Sequence, residues 1–74
     1  CMPCKMLSPV LDDLGKSYKD KLKICKLNVN ENSQLADEYG VMAVPTLMYV
    51  KNGREINRTI GFINKNEILE NLNL

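Results

Sequence analysis

The first apolar pattern along the chain is a helical stripe of four residues at positions i, i+3, i+4 and i+7: Leu7, Val10, Leu11 and Leu14. This spacing predicts an amphipathic helix over residues 3–15. Pro3 suits its first turn, where a missing N–H would have no partner in any case. Pro9 lies inside the stripe, so we expect a kink there rather than an end of the helix.

Two shorter patterns follow. The apolar side chains of KLKICKLNV, residues 21–29, predict a mostly buried strand. NSQLADEYGV, residues 32–41, predicts a short helix with Asn32 or Ser33 as its cap and Gly40 as its C-terminal stop. The inward face of this helix is predicted to consist of Leu35, Ala36 and Tyr39.

The last part of the chain predicts a hairpin and a helix. In TLMYVKNGREINRTI, residues 46–60, two β-rich runs are joined by Asn52-Gly53, a strong turn signal. The final helix starts at NKNE, where Asn64 caps and Glu67 reaches back. Its staple and buried face are predicted to be Ile63, Ile68, Leu69 and Leu72.

The element order is therefore helix, strand, helix, strand, strand, helix. A strand, a helix and a strand in succession suggest a parallel crossover, to which the hairpin adds an antiparallel pair. With no repeats or linkers, the 74 residues form one α/β unit. As given it is an incomplete layer, and we expect further elements to precede the first helix.

Composition narrows the function classes. Ten basic residues are scattered among nine acidic ones, for a net charge of +1. This balance argues against nucleic acid and membrane surfaces as partners. The chain has three cysteines and no histidine. An odd cysteine count argues against a secreted disulfide framework, and the missing histidine excludes Cys–His nucleophile chemistry.

The candidate chemistry lies in Cys1 and Cys4, spaced i, i+3 at the start of the first helix, on one face and within disulfide reach. A zinc site, a structural clip and a redox dithiol are the alternatives. Zinc usually takes four ligands, and here one pair, one distant cysteine and no histidine are available. A structural disulfide that closes so short a loop contributes little to the stability of the fold. The redox dithiol is the favoured interpretation.

The two sulfurs of this pair are predicted to differ. Cys1 sits where unpaired N–H groups and the positive end of the helix dipole stabilise a thiolate, which lowers its pKa. Cys4 lies one turn further in and should be less exposed. Cys1 would attack a substrate disulfide, and Cys4 would then resolve the mixed disulfide.

Cys25 and Pro45 each have two possible interpretations. Cys25 falls within the predicted strand, where a free cysteine usually packs as a small hydrophobe. Pro45 lies at the start of the next strand, a position where proline is common. The sharper hypothesis for Pro45 is a cis Val44-Pro45 bond, which would leave the backbone of Val44 free for an extended peptide.

Taken together, these motifs resemble the thioredoxin family. The resemblance rests on CMPCKMLSPVLDDL with its interior proline, on VPTLMYVKNGRE, and on the IGF that precedes the last helix. It covers the whole chain. It implies a thioredoxin-like fold and a protein-disulfide reductase that needs no cofactor beyond the Cys1–Cys4 dithiol. Cys1 matches the nucleophile, Cys4 the resolving thiol, and Lys26 a lysine beneath the site. The residues implied to face substrate are Met2, Pro3, Ala43, Val44, Pro45, Gly61 and Phe62.

The sequence also departs from the family. Met2 stands where glycine is usual and Phe62 where a small residue is common, so we expect a wider apolar rim around Cys1. The family's first strand, helix and second, central strand have no counterpart. Residues 1–74 are therefore expected to be the C-terminal part of a single thioredoxin domain, from the dithiol onward. If this part of the domain exists on its own, we expect it to be poorly stable or to borrow strands from another chain.

The resemblance implies a cytoplasmic setting, a thioredoxin reductase as electron donor and proteins with reducible disulfides as acceptors. Intact Cys1 and Cys4 favour this enzyme over a non-catalytic interaction domain that keeps the fold for protein contacts. A fragment without an independent role is the third hypothesis.

Overall fold

A long amphipathic helix, α1 (Met2–Ser17), carries the dithiol. The computed structural model describes all residues, 1–74. The predicted stripe forms its buried face, with Leu7 and Leu14 shielded from solvent. The helix is assigned without a break through Pro9. It therefore spans the interval that the sequence predicts and extends a little beyond it at both ends.

The remaining elements follow in chain order. They are α2 (Ser33–Glu38), β1 (Thr46–Lys51), β2 (Arg54–Ile60) and α3 (Lys65–Leu72). β1 and β2 form a two-stranded antiparallel sheet, in which Thr46 faces Ile60 and Lys51 faces Arg54. None of the helices combines the length and apolarity needed to cross a bilayer.

Local signals account for the turn and the last helix. Asn52 and Gly53 both have positive φ angles, 54° and 77°, as a tight hairpin turn requires. Asn64 caps α3 by accepting a hydrogen bond from the Glu67 N–H at 2.9 Å. Gly40 has a φ of 67° just after α2, which confirms the predicted stop. These predictions from short-range patterns are confirmed.

The core joins three elements. Four buried side chains pack together: Leu7 and Leu14 from α1, Tyr49 from β1 and Ile68 from α3. Half-buried apolar residues surround them, including Leu47, Ile63, Leu69 and Leu72. A surface ion pair joins Lys65 Nζ to Asp13 Oδ2 at 2.7 Å and links α3 to α1. The core thus fixes the helix that carries the dithiol against the hairpin.

The strand predicted over residues 21–29 is wrong, because the structure has no regular element there. β1 pairs only with β2, so this segment is paired with no strand and no parallel crossover forms. Cys25 is consequently exposed, not packed. The predicted inward face of α2 is also only partly correct, since Ala36 is buried but Leu35 and Tyr39 are exposed.

Candidate active site

The dithiol occupies the N-terminus of α1. Cys1 is the N-cap, and its Sγ accepts a hydrogen bond from the Cys4 N–H at 3.3 Å. Sulfur thus takes the place of the side-chain oxygen that usually caps a helix. The two cysteines are joined in a disulfide, with their Cα atoms 5.3 Å apart. The pair is therefore positioned to open and close without a large backbone movement.

The two sulfur-bearing residues differ in exposure, as the sequence predicts. Cys1 is exposed, whereas Cys4 is half-buried one turn into the helix. A molecule approaching from solvent meets Cys1 first. Positive partial charge at the helix N-terminus also favours an anionic sulfur at Cys1.

A second segment, residues 43–45, faces the dithiol. Cys1 Sγ lies 3.8 Å from the carbonyl oxygen of Val44. The Val44-Pro45 peptide bond is cis, as the sharper hypothesis predicted. Neither the N–H nor the C=O of Val44 belongs to a backbone hydrogen bond. The C=O of Val44 therefore stands beside the exposed sulfur, and the N–H of the same residue has no backbone partner.

Two hydrogen bonds hold this segment in place. Thr46 Oγ1 donates to the Ala43 carbonyl oxygen at 2.7 Å, and the Gly61 N–H donates to the Pro45 carbonyl oxygen at 2.8 Å. Gly61 has a φ of 88°, a left-handed conformation that favours glycine. The hairpin thus supports the segment from both strands, because Thr46 opens β1 and Gly61 follows β2. Sequence reasoning did not single out the Thr46 hydroxyl.

An apolar rim borders the site. Of the residues implied to face substrate, Met2 is 67% exposed, and Val44 and Phe62 are also exposed. Two further exposed apolar side chains adjoin the candidate site along the chain and were not singled out from the sequence: Met42 at 95% exposure, just before Ala43, and Ile60 at 65%, just before Gly61. A signal for Met42 was present, since the apolar run MAV, residues 42–44, lies outside any predicted element.

The structure places Lys26 along α1, with no hydrogen bond to either sulfur of the dithiol. Its Nζ donates to Ser8 Oγ at 2.9 Å and to Asp12 Oδ1 at 2.7 Å. Ser8 is seven residues after Cys1, which is about two helical turns. Lys26 thereby ties the segment after α1 back onto the helix.

The displaced pKa values belong to surface ion pairs outside the site. A hydrogen bond from Lys65 holds the pKa of Asp13 below its ordinary value and raises the pKa of Lys65. A hydrogen bond from Arg58 likewise lowers the pKa of Glu55. Arg58 also reaches the Gly40 carbonyl oxygen at 3.4 Å, which links β2 to the end of α2. No group of three or more His, Cys, Asp or Glu side chains is arranged to hold a metal ion.

Comparison with known proteins yields one family. The family model for thioredoxin matches residues 1–74. A thioredoxin of Bacillus subtilis is 45% identical over 73 residues, which cover 99% of this chain and 70% of the relative. A thioredoxin of Rickettsia felis is 42% identical with the same coverage.

Solved structures agree with this result. The crystal structure of thioredoxin NaTrxh from Nicotiana alata superposes with a TM-score of 0.85 and 38% identity, over 95% of this chain and 59% of that one. A structure described as that of a malarial protein gives a TM-score of 0.91 with 27% identity, over 99% of this chain and 82% of the other. The predicted α/β, incomplete thioredoxin-like fold is confirmed.

Proposed function

Because the chain belongs to the thioredoxin family, we propose that it reduces protein disulfides with Cys1 as nucleophile and Cys4 as resolving thiol. The observation that carries this proposal is the Cys1–Cys4 disulfide on the first turn of α1, with the exposed sulfur at the helix N-terminus. A thiol–disulfide oxidoreductase requires such an asymmetric pair. The electron pair is carried by the dithiol itself, so the reaction needs no other cofactor.

The first step begins from the reduced dithiol. The Cys1 thiolate attacks one sulfur of the substrate disulfide. A bond forms between Cys1 Sγ and that sulfur, the substrate S–S bond breaks, and the other sulfur leaves as a thiolate that takes up a proton. The N–H of Cys4, already directed at Cys1 Sγ at 3.3 Å, stabilises the attacking anion.

The second step closes the disulfide. Cys4 loses its proton and attacks Cys1 Sγ, the mixed disulfide breaks, and the second substrate thiolate leaves and is protonated. In total the substrate gains two electrons and two protons, and the chain returns to the disulfide form described above. Half-burial of Cys4 limits direct competition by external disulfides for this sulfur.

The substrate is proposed to bind as an extended peptide beside Cys1. The free N–H and C=O of Val44 offer two main-chain hydrogen bonds to such a peptide. Ala43, Pro45 and Gly61 would contact the same peptide, and support for this comes from the hydrogen bonds that fix Ala43 and Pro45 on either side of Val44. The apolar side chains that would contact the peptide are Met2, Pro3, Val44 and Phe62. Lys26 would support the site indirectly, by holding the segment after α1 to the helix.

Reducing equivalents are proposed to come from a thioredoxin reductase, and the setting is proposed to be the cytoplasm. The support is the family and the relationship to bacterial thioredoxins. A reducing compartment keeps the dithiol available for a new cycle.

The test is a trap for the mixed disulfide. Cys4→Ser should leave Cys1 able to attack insulin but unable to release it, so a covalent adduct should accumulate. The adduct should appear as a band on a non-reducing gel and disappear when the sample is reduced. The parent chain should reduce insulin and form no lasting adduct. Cys25→Ser is the matched control, because Cys25 is an exposed thiol outside any helix or strand.

Three outcomes would contradict the proposal. An adduct formed by Cys1→Ser as readily as by Cys4→Ser would show that Cys1 is not the required nucleophile. Full insulin reduction by Cys4→Ser would remove the resolving role. Insulin bound without any thiol exchange in the parent chain would favour the non-catalytic interaction domain.

A further inference from the structure

Two exposed methionines lie next to the parts of the chain that form the candidate site. Of the four methionines in the chain, three are exposed: Met2, Met6 and Met42. Met48 is half-buried in β1. Met2 directly follows Cys1, and Met42 lies two residues before Val44, whose carbonyl oxygen is 3.8 Å from Cys1 Sγ. Met2 is thus the neighbour of Cys1 on the first turn of α1, and Met42 leads into the segment that faces the dithiol.

We propose that hydroperoxides oxidise Met2 and Met42 to methionine sulfoxide, and that this modification weakens the docking of protein disulfides. The inference rests on the proposed function. In the reaction the thioether sulfur attacks a peroxide oxygen, the O–O bond breaks and an S–O bond forms. The sulfur loses two electrons, and the peroxide is reduced to water or an alcohol, so atoms and charge balance. Methionine sulfoxide reductases reverse the change.

The disulfide form is the state in which these two sulfurs are most at risk. A thiolate would react first with a peroxide, but in the Cys1–Cys4 disulfide neither sulfur is a thiolate. Oxidation of a sulfur side chain follows its accessibility. Met42, the more exposed of the two, and Met2 are then the accessible reduced sulfurs beside the site. Oxidation should therefore accumulate when the supply of reducing equivalents fails.

The sulfoxide changes what the rim can bind. A thioether is flexible and apolar and adapts to an apolar partner side chain, whereas a sulfoxide is polar and must lose water on contact. A folded protein that presents its disulfide to Cys1 covers the rim. A small disulfide such as hydroxyethyl disulfide reaches Cys1 without covering it. Oxidation should therefore reduce the rate with protein substrates selectively.

The experiment uses the full chain in its disulfide form, with Cys25→Ser so that the third thiol cannot be oxidised. Hydrogen peroxide is added, destroyed with catalase, and the sulfoxides are located by peptide mass spectrometry. The dithiol is then reduced with dithiothreitol and desalted, and single-turnover rates are measured. We expect the rate with insulin to fall roughly fivefold, as loss of part of one apolar contact implies, and the rate with hydroxyethyl disulfide to stay the same.

Two matched variants assign the effect, each compared with its own untreated rate. The double variant Met2→Leu/Met42→Leu should keep its rate with insulin after peroxide. Met6→Leu, which retains both rim methionines, should lose it as the parent does. The inference is overturned if the double variant loses as much as the parent, or if sulfoxide at Met2 and Met42 leaves the rate with insulin unchanged. An untreated chain that reduces neither substrate would instead overturn the proposed function.

Discussion

Leu14→Ala removes the side chain that is completely shielded from solvent, at 0% exposure. Leu14 packs with Leu7, Tyr49 and Ile68, so it contributes to the cluster that joins α1, β1 and α3. The substitution deletes three carbons and leaves a cavity among these partners. A buried Leu→Ala change costs roughly 2–5 kcal/mol, and less where the surroundings can collapse into the cavity. Because half-buried side chains ring this cluster, we expect partial collapse and a loss of about 3 kcal/mol.

This loss is large for a chain of 74 residues. At typical values per residue such a domain has about 4–11 kcal/mol of stability, and a core of so few buried side chains places it near the lower end. Leu14→Ala should therefore lose most of its folding free energy. With a urea dependence of about 1 kcal/mol per molar, the unfolding midpoint should fall by about 3 M.

The assay is urea unfolding followed by circular dichroism, with Leu27→Ala as the matched control. Leu27 lies in the segment without regular structure, and it is 48% exposed. Its replacement should change the free energy of unfolding by about 0.5 kcal/mol or less. Equal midpoints for the two variants would refute the reasoning, because they would show that the cluster around Leu14 does not hold α1 in place.

Two further predictions concern surface contacts. Lys65 lowers the pKa of Asp13 below 3.8, so the stabilisation from this contact is present above that pH and is lost as the pH falls through the lowered value. The urea midpoint of Asp13→Asn should therefore lie below that of the parent at pH 7 and converge with it in acid; a constant difference would contradict this. Lys26→Met removes the hydrogen bonds to Ser8 and Asp12. In limited proteolysis, trypsin should then cleave within residues 21–24 faster, relative to its cleavage after Lys51, than it does in the parent chain. An unchanged ratio of the two cleavage rates would show that Lys26 does not hold the segment.

Local patterns account for what the sequence predicts correctly. The apolar stripe of α1, the Asn52-Gly53 turn and the Asn64 cap each depend on residues within a few positions of one another. Such features form wherever their own side chains allow, so they can be inferred without knowledge of the rest of the fold.

The predictions that were wrong concern features that depend on contacts between distant parts of the chain. Residues 21–29 carry apolar side chains suited to a strand, but a strand requires a neighbouring strand, and β1 pairs only with β2. Exposure of Cys25 follows from the same cause. Leu35 and Tyr39 have the spacing of a buried helical face, yet the six-residue α2 buries only Ala36. In each case burial depends on what other parts of the chain supply, which periodicity does not reveal.

The candidate site combines features set by neighbouring residues with features set by contacts between distant parts of the chain. This difference has a functional consequence. Cys1 and Cys4 share one turn of α1, so capping of the sulfur by the Cys4 N–H is local to that turn. The segment at residues 43–45 is held by Thr46 and Gly61 of the hairpin. Contact between these two units, Cys1 Sγ to the Val44 oxygen, joins residues 43 positions apart and depends on the core that packs α1 against β1. Weakening that core should therefore separate the sulfur from its docking surface before it changes the environment that activates the sulfur.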